Sequence, residues 1–127
     1  MTKKQIISID ASKAGPYSHG VKVGTLLFLS GKGADSNAKT ISEQTISTFQ
    51  KIKTVLNAAN ATVSDIVKVT VFLKDKTEFK EMNAAYRNFF EDNGVTEEFP
   101  ARTTVEVSNL PLPHMKIEID VIASIND

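Results

Sequence analysis

The chain contains no cysteine. Disulfides, thiol nucleophiles and thiolate metal sites are therefore excluded. It has no excess of either charge: fifteen Lys and Arg balance fifteen Asp and Glu. The basic residues are scattered, with only Lys3 and Lys4 adjacent, so the basic stripe that a nucleic-acid partner requires is missing. No apolar run approaches membrane-spanning length, and the opening Met-Thr-Lys-Lys-Gln lacks the apolar centre of a secretory signal. A soluble, cytoplasmic protein is the expectation. No linker, repeat or low-complexity stretch divides the 127 residues. A single domain over residues 1–127 follows, large enough for a continuous core without disulfides or metals.

Periodicity gives the elements. Lys4 to Ile9 reads as a short strand. Tyr17 to Val23 and Leu26 to Ser30 read as a hairpin around Gly24-Thr25, and Gly31 to Lys39 as loop. Thr40 with Glu43 fits a capping box, after which Ile46, Phe49, Ile52, Val55, Leu56 and Ala59 recur at helical spacing up to a left-handed stop at Asn60. In the strand Ile66 to Lys74, Val67, Val69, Val71 and Leu73 share one face. A second helix starts near Thr77, buries Phe79, Met82, Tyr86, Phe89 and Phe90, and ends at Asn93-Gly94. Two alternating strands follow, Pro100 to Val107 and Met115 to Val121. The order is β-β-β-α-β-α-β-β, an α+β class with a mixed sheet and two helices on one face.

The last two strands carry the groups able to do chemistry. Paired as a hairpin turning near Leu110-Pro111, they would set Arg102 beside Glu118. An arginine beside a carboxylate is either a cross-strand ion pair or the start of an anion-binding site. The face away from the helices is predicted to carry Lys68, Thr70, Phe72, Arg102, Thr104, Glu106, Glu118, Asp120 and Ile122. This set is too polar for a monomer's core, yet its apolar members would gain from burial. Packing against a further copy of the chain is the favoured outcome, which would bring Arg102 and Glu118 to a subunit interface. His19 and His114 lie far apart, make a poor metal pair and read as surface residues.

Six short motifs, in order over nearly the whole chain, resemble the Rid family of reactive-intermediate deaminases, also called the YjgF family. They are Gly15-Pro16-Tyr17-Ser18, Leu29-Ser30-Gly31, Thr70-Val71-Phe72-Leu73, Met82-Asn83 with Tyr86, Pro100-Ala101-Arg102 and Lys116-Ile117-Glu118-Ile119. The resemblance implies a chorismate-mutase-like fold, a homotrimer with clefts between subunits, and a metabolite damage-control activity. That activity is hydrolysis of 2-imino acids, derived from 2-aminoacrylate or 2-aminocrotonate, to 2-oxo acids and ammonia. By position it implies that Arg102 binds the substrate carboxylate and Glu118 orients the attacking water. Tyr17, Ser30, Gly31, Asn83 and Thr104 would line the pocket. No metal or organic cofactor is expected, because the substrate is already electrophilic, and the expected partners are a small imino or oxo acid and further copies of the chain. Thr104 stands where several relatives have cysteine. Gly31 to Thr40 is shorter than the relatives' loop and lacks their Gly-Gln-Ile-Pro pattern, which leaves the pocket rim and substrate preference open. The alternative is a non-catalytic carboxylate-binding regulator or a chaperone-like trimer; retention of both Arg102 and Glu118 favours the enzyme. Ribonuclease activity, sometimes attached to relatives, draws little support from a chain without net charge.

Overall fold

The structure, a computed structural model, describes residues 3–125. Its order is β1 (Gln5–Ile7), β2 (Gly20–Val23), β3 (Leu26–Leu29), α1 (Ile41–Ala58), β4 (Ile66–Leu73), α2 (Phe79–Asp92), β5 (Ala101–Glu106) and β6 (Ile117–Ser124). The α+β order expected from the sequence is therefore the one observed. The local signals have physical counterparts. Thr40 and Glu43 form the reciprocal capping box of α1, and Asn60 and Gly94 take the left-handed conformations that stop the two helices, at φ 59° and 87°.

The strands form one sheet in the order β1-β2-β3-β6-β4-β5. All neighbours are antiparallel except β4 and β5, which run parallel with Val69 opposite Arg102 and Val71 opposite Thr104. The expected hairpin of the last two strands does not form. After α2 the chain returns alongside β4 as a parallel crossover, which makes β5 an edge strand. The segment from Val107 then carries the chain back over β4, and β6 enters antiparallel between β3 and β4.

One face of the sheet and the two helices enclose the core. Leu27, Val69, Val71, Ile117, Ile119 and Ala123 are all fully buried on it. Above them, Phe49 of α1 stacks on Phe89 of α2 at 4.8 Å and meets Tyr86 and Phe90 edge-on. Two expected core positions are not in the core. A bulge between Ile66 and Lys68 turns Val67 outward, so Ile66 is buried in its place. Phe79, at the start of α2, is 42% exposed. No helix is long and apolar enough to cross a membrane.

Gln44 joins the helix layer to the segment that precedes β6. It is 1% exposed. Its Nε2 donates to the carbonyls of Ala38 (3.1 Å) and His114 (2.7 Å), and its Oε1 accepts from the Lys116 N–H at 2.8 Å. Replacing Gln44 by Leu leaves these backbone groups buried without partners, each at a cost of about 1–3 kcal/mol. We expect Gln44→Leu to lower unfolding stability by about 3 kcal/mol or more, measured as the denaturant midpoint. A midpoint equal to wild type would show that the tie is dispensable.

Candidate active site

The residues singled out in the sequence form two groups, on opposite faces of the sheet. The first gathers around Arg102. Its register partner Val69 is fully buried, so Arg102 and, two residues on, Thr104 point to the helix side and not to the open face expected from alternation. There the guanidinium carbon lies 4.7 Å from the centre of the Tyr86 ring and 5.7 Å from that of Phe79. Phe79, Asn83 and Tyr86 follow at i, i+4 and i+7 on α2, so one helical stripe supplies both rings and the amide. The guanidinium thus lies over both rings as a cation on their π-faces. Among the described residues no carboxylate pairs with it. Its planar fork of N–H donors is thus oriented and unused.

The surroundings of this arginine are polar and equally unpartnered. Asn83 Oδ1, Tyr86 Oη and Thr104 Oγ1 are buried atoms without a hydrogen-bond partner. Such groups are rare in folded proteins and call for an explanation. Burial pushes the Tyr86 hydroxyl up to about 12 despite the opposing effect of Arg102, so it remains a neutral donor. Asn83, Tyr86 and Arg102 border a cavity of about 320 Å³ together with Arg87, Phe99 and Pro100.

The second group gathers around Glu118. On β6 it is opposite Phe72, on the face away from the helices. Its carboxylate lies against Gly31, where an added Cβ would come within 2.4 Å of Oε2. A register change brings the two together: Phe28 pairs with Ile122 but Lys32 bridges Ile119, so the β3 side carries one extra residue. Burial, and then the like charge of Asp120, raise the Glu118 pKa. Ser30 Oγ donates to the Ser18 carbonyl at 2.6 Å, which fastens the loop bearing Tyr17. The Tyr17 hydroxyl in turn accepts from the Ala14 N–H at 3.2 Å. Tyr17, Ser30, Gly31 and Glu118 all line a cavity of about 1050 Å³.

Arg102, Asn83 and Thr104 are therefore one cluster, and Tyr17, Ser30, Gly31 and Glu118 another. Between them stands β4. The two catalytic candidates are two strand spacings apart across the sheet and three residues apart along it, roughly 14 Å in all, and project to opposite faces. A direct ion pair between them within one chain is ruled out. Sequence reasoning placed Phe79 and Tyr86 in the core and missed their role beside Arg102; a polar amide within an aromatic helical stripe was the available signal. It also read His19 as a surface residue, whereas His19 is 5% exposed and held by the Ala11 carbonyl and Lys32. Among the described residues no group of three or more His, Asp or Glu is placed to hold a metal ion.

Residues 8–125 match the family model described as Endoribonuclease L-PSP. The 2-iminobutanoate/2-iminopropanoate deaminase of Salmonella typhimurium is 40% identical over 114 residues, which is 86% of this chain and 87% of that protein. A RutC family protein of Saccharolobus solfataricus is 44% identical over 115 residues, 86% of each chain. Among solved structures, the YjgF gene product of Escherichia coli has the same fold, with a TM-score of 0.84 at 34% identity over 94% of this chain and 98% of that one. Escherichia coli TdcF, solved with bound serine, gives a TM-score of 0.84 at 31% identity over 96% and 99% of the two chains. With the motifs, the mixed sheet and these relatives in agreement, the chain belongs to the Endoribonuclease L-PSP family, the YjgF or Rid family that its sequence resembles.

Proposed function

We propose that this protein hydrolyses 2-imino acids to 2-oxo acids and ammonia, in clefts that a second copy of the chain completes. The observation that carries the reading is Arg102: a half-buried guanidinium lying over two rings, with no carboxylate paired to it among the described residues and three unpartnered polar atoms around it. A planar carboxylate fits such a fork through two charge-assisted hydrogen bonds. Relatives named as 2-iminobutanoate/2-iminopropanoate deaminases support the general deaminase chemistry.

The chemistry needs little more than this. Glu118 accepts a proton from a water held beside the imine carbon, and the water oxygen adds to that carbon. Glu118 returns that proton to the nitrogen to give an amino alcohol, then takes the hydroxyl proton and passes it to the nitrogen as the C–N bond breaks, so that the 2-oxo group forms and ammonia leaves. An enamine reaches the same route after tautomerising to the imine. Free imines also hydrolyse unaided, so the enzyme has only a modest barrier to lower, about 1.4 kcal/mol for each tenfold. Positioning of carboxylate and water accounts for it.

A single chain holds the two halves on opposite faces, so catalysis by this pair requires association. The open face supplies the means. Phe28, Ile122, Phe72 and Val105 are only partly covered on it, Phe28 being 41% and Val105 40% exposed. Burying such a strip against a copy is favourable. We take the assembly to be a homotrimer, with Arg102, Asn83 and Thr104 of one copy facing Tyr17, Ser30, Gly31 and Glu118 of the next.

Imine decay in the presence of a threonine dehydratase, followed by semicarbazone trapping, tests the reading. Arg102→Ala is expected to lose at least about 100-fold in kcat/KM, the worth of two charge-assisted hydrogen bonds, with Arg102→Lys intermediate. Wild-type protein that leaves the decay unchanged but is stabilised by 2-oxo acids would instead be a carboxylate-binding regulator.

Co-expressing inactive Arg102→Ala and Glu118→Gln chains tests the shared cleft. Random mixing into trimers leaves one intact cleft in each mixed trimer, or about a quarter of wild-type activity. Mixed protein no more active than either parent would refute the split site.

Glu118 must be ionised to act, and its pKa is raised by burial and Asp120. The acid limb of kcat/KM, corrected for spontaneous decay, is therefore expected above the ordinary carboxylate range. Asp120→Asn should move that limb to lower pH. A limb that stays in place in this variant would remove Glu118 from the proton-transfer role.

A further inference from the structure

A carboxylate does not satisfy every group beside Arg102. It only accepts hydrogen bonds, so it can take N–H groups from the guanidinium and the hydroxyl protons of Tyr86 and Thr104. It offers nothing to Asn83 Oδ1. That atom is an amide oxygen, an acceptor with no proton of its own. It is buried, and among the described residues it has no hydrogen-bond partner. Tyr86 Oη and Thr104 Oγ1 do not supply one, since both are unpartnered themselves. Arg87 also borders the cavity, but its guanidinium lies over the Phe99 ring and faces Glu91.

Helix α2 sets where this oxygen stands. Asn83 falls between Phe79 and Tyr86 on the stripe over whose rings the Arg102 guanidinium lies. It borders the same cavity of about 320 Å³ as Tyr86 and Arg102. Helix and edge strand therefore present an acceptor and a cation to one space. Turned over, the amide would put its NH₂ group in the buried place and add donors to a cavity whose cation already has donors unused. The oxygen-inward orientation is the one that complements Arg102.

A buried acceptor left open in this way calls for a donor from outside the fold. Next to its carboxylate a 2-imino acid carries one group that donates, its nitrogen. In the 2-oxo product a carbonyl oxygen stands there, and it only accepts.

We infer that Asn83 Oδ1 accepts an N–H of the substrate nitrogen while Arg102 holds the carboxylate, so that this half-site distinguishes the nitrogen-bearing substrate from the oxo product. The hydrogen bond strengthens as the nitrogen gains protons on its way to ammonia, because a cationic N–H is the better donor. Once the C–N bond is broken, Oδ1 faces the product oxygen, acceptor against acceptor, which favours release. The assignment rests on the carboxylate reading of Arg102.

Calorimetry with oxamate and pyruvate tests it. The two anions have the same charge and nearly the same shape, but oxamate carries an NH₂ group where pyruvate has a methyl. Wild type should bind oxamate about fivefold or more tightly, the effect of one hydrogen bond to an otherwise unpartnered buried acceptor. Asn83→Leu should weaken oxamate to the level of pyruvate and leave pyruvate bound as in wild type or better. A purely structural role would weaken both ligands alike, and that result overturns the inference. So do equal affinities in the wild type, or a preference unmoved in Asn83→Leu. Arg102→Ala separates this outcome from that of the underlying reading, since it should abolish binding of both anions. Equal affinities that depend on Arg102 refute the Asn83 assignment alone. Binding that survives Arg102→Ala, or no binding to the wild type, refutes the carboxylate reading and the assignment with it. Should Asn83→Leu fail to fold, the wild-type ratio decides.

Discussion

The parallel pairing of β5 with β4 is the constraint from which the character of the site follows. It makes β5 an edge strand, leaves the slot between β3 and β4 to β6, and sends Arg102 and Glu118 to opposite sides of the sheet. Had the two last strands formed a hairpin, arginine and glutamate would stand side by side and neutralise each other. With β4 between them, each keeps its charge for something else. Arg102 gains aromatic neighbours from α2, the helix that made the parallel return necessary. Glu118 gains Gly31 from the end of β3, which only an inserted β6 brings within reach.

The two half-sites are destabilised in complementary ways. Around Arg102 the unmet groups are donors and neutral dipoles: an unpaired guanidinium, a buried phenol, a hydroxyl and an amide oxygen. Around Glu118 they are anionic, with a carboxylate partly stripped of water and a second, Asp120, beside it whose pKa burial also raises. Left alone, each arrangement opposes folding. The large aromatic cluster about Phe49 and the buried ties of Gln44 supply stability elsewhere in the chain. Apart from Thr48 Oγ1 on α1, the buried side-chain atoms without partners among the described residues are all near Arg102, a concentration expected of a surface that meets a ligand.

Local signals were legible in the sequence wherever one side chain acts on its own backbone. The Thr40 capping box and the Asn60 and Gly94 stops belong to this class; alternation was legible along β6 and, beyond its bulge, along β4. The identity of the arginine and glutamate strands came from motifs, and the order of elements followed from periodicity. What was not legible depends on which strands become neighbours. Alternation in β5 told that Arg102 and Thr104 share a face, but not which face, because an edge strand with few large apolar residues carries no burial preference strong enough to set its phase. Phe79 looked like core for a related reason: its helical spacing is that of an inward residue, yet at the start of α2 it lies over the guanidinium of Arg102. His19 looked like surface because nothing in its own neighbourhood announces the lysine that β3 brings to it. In each case the deciding partner is distant in sequence.

An added Cβ at Gly31 would press on the end of the Glu118 side chain, and one at Gly33 would fall 2.5 Å from the Cε of buried Met115. Lys32 sits between two glycines that each lie against a longer side chain. A side chain gained at either flank would have to push the end of Glu118 or of Met115 aside, whereas a change at Lys32 alters its tie to His19 and leaves both close approaches as they are. The lining of the cavity can therefore change by one codon at this point while the backbone that carries it stays the same.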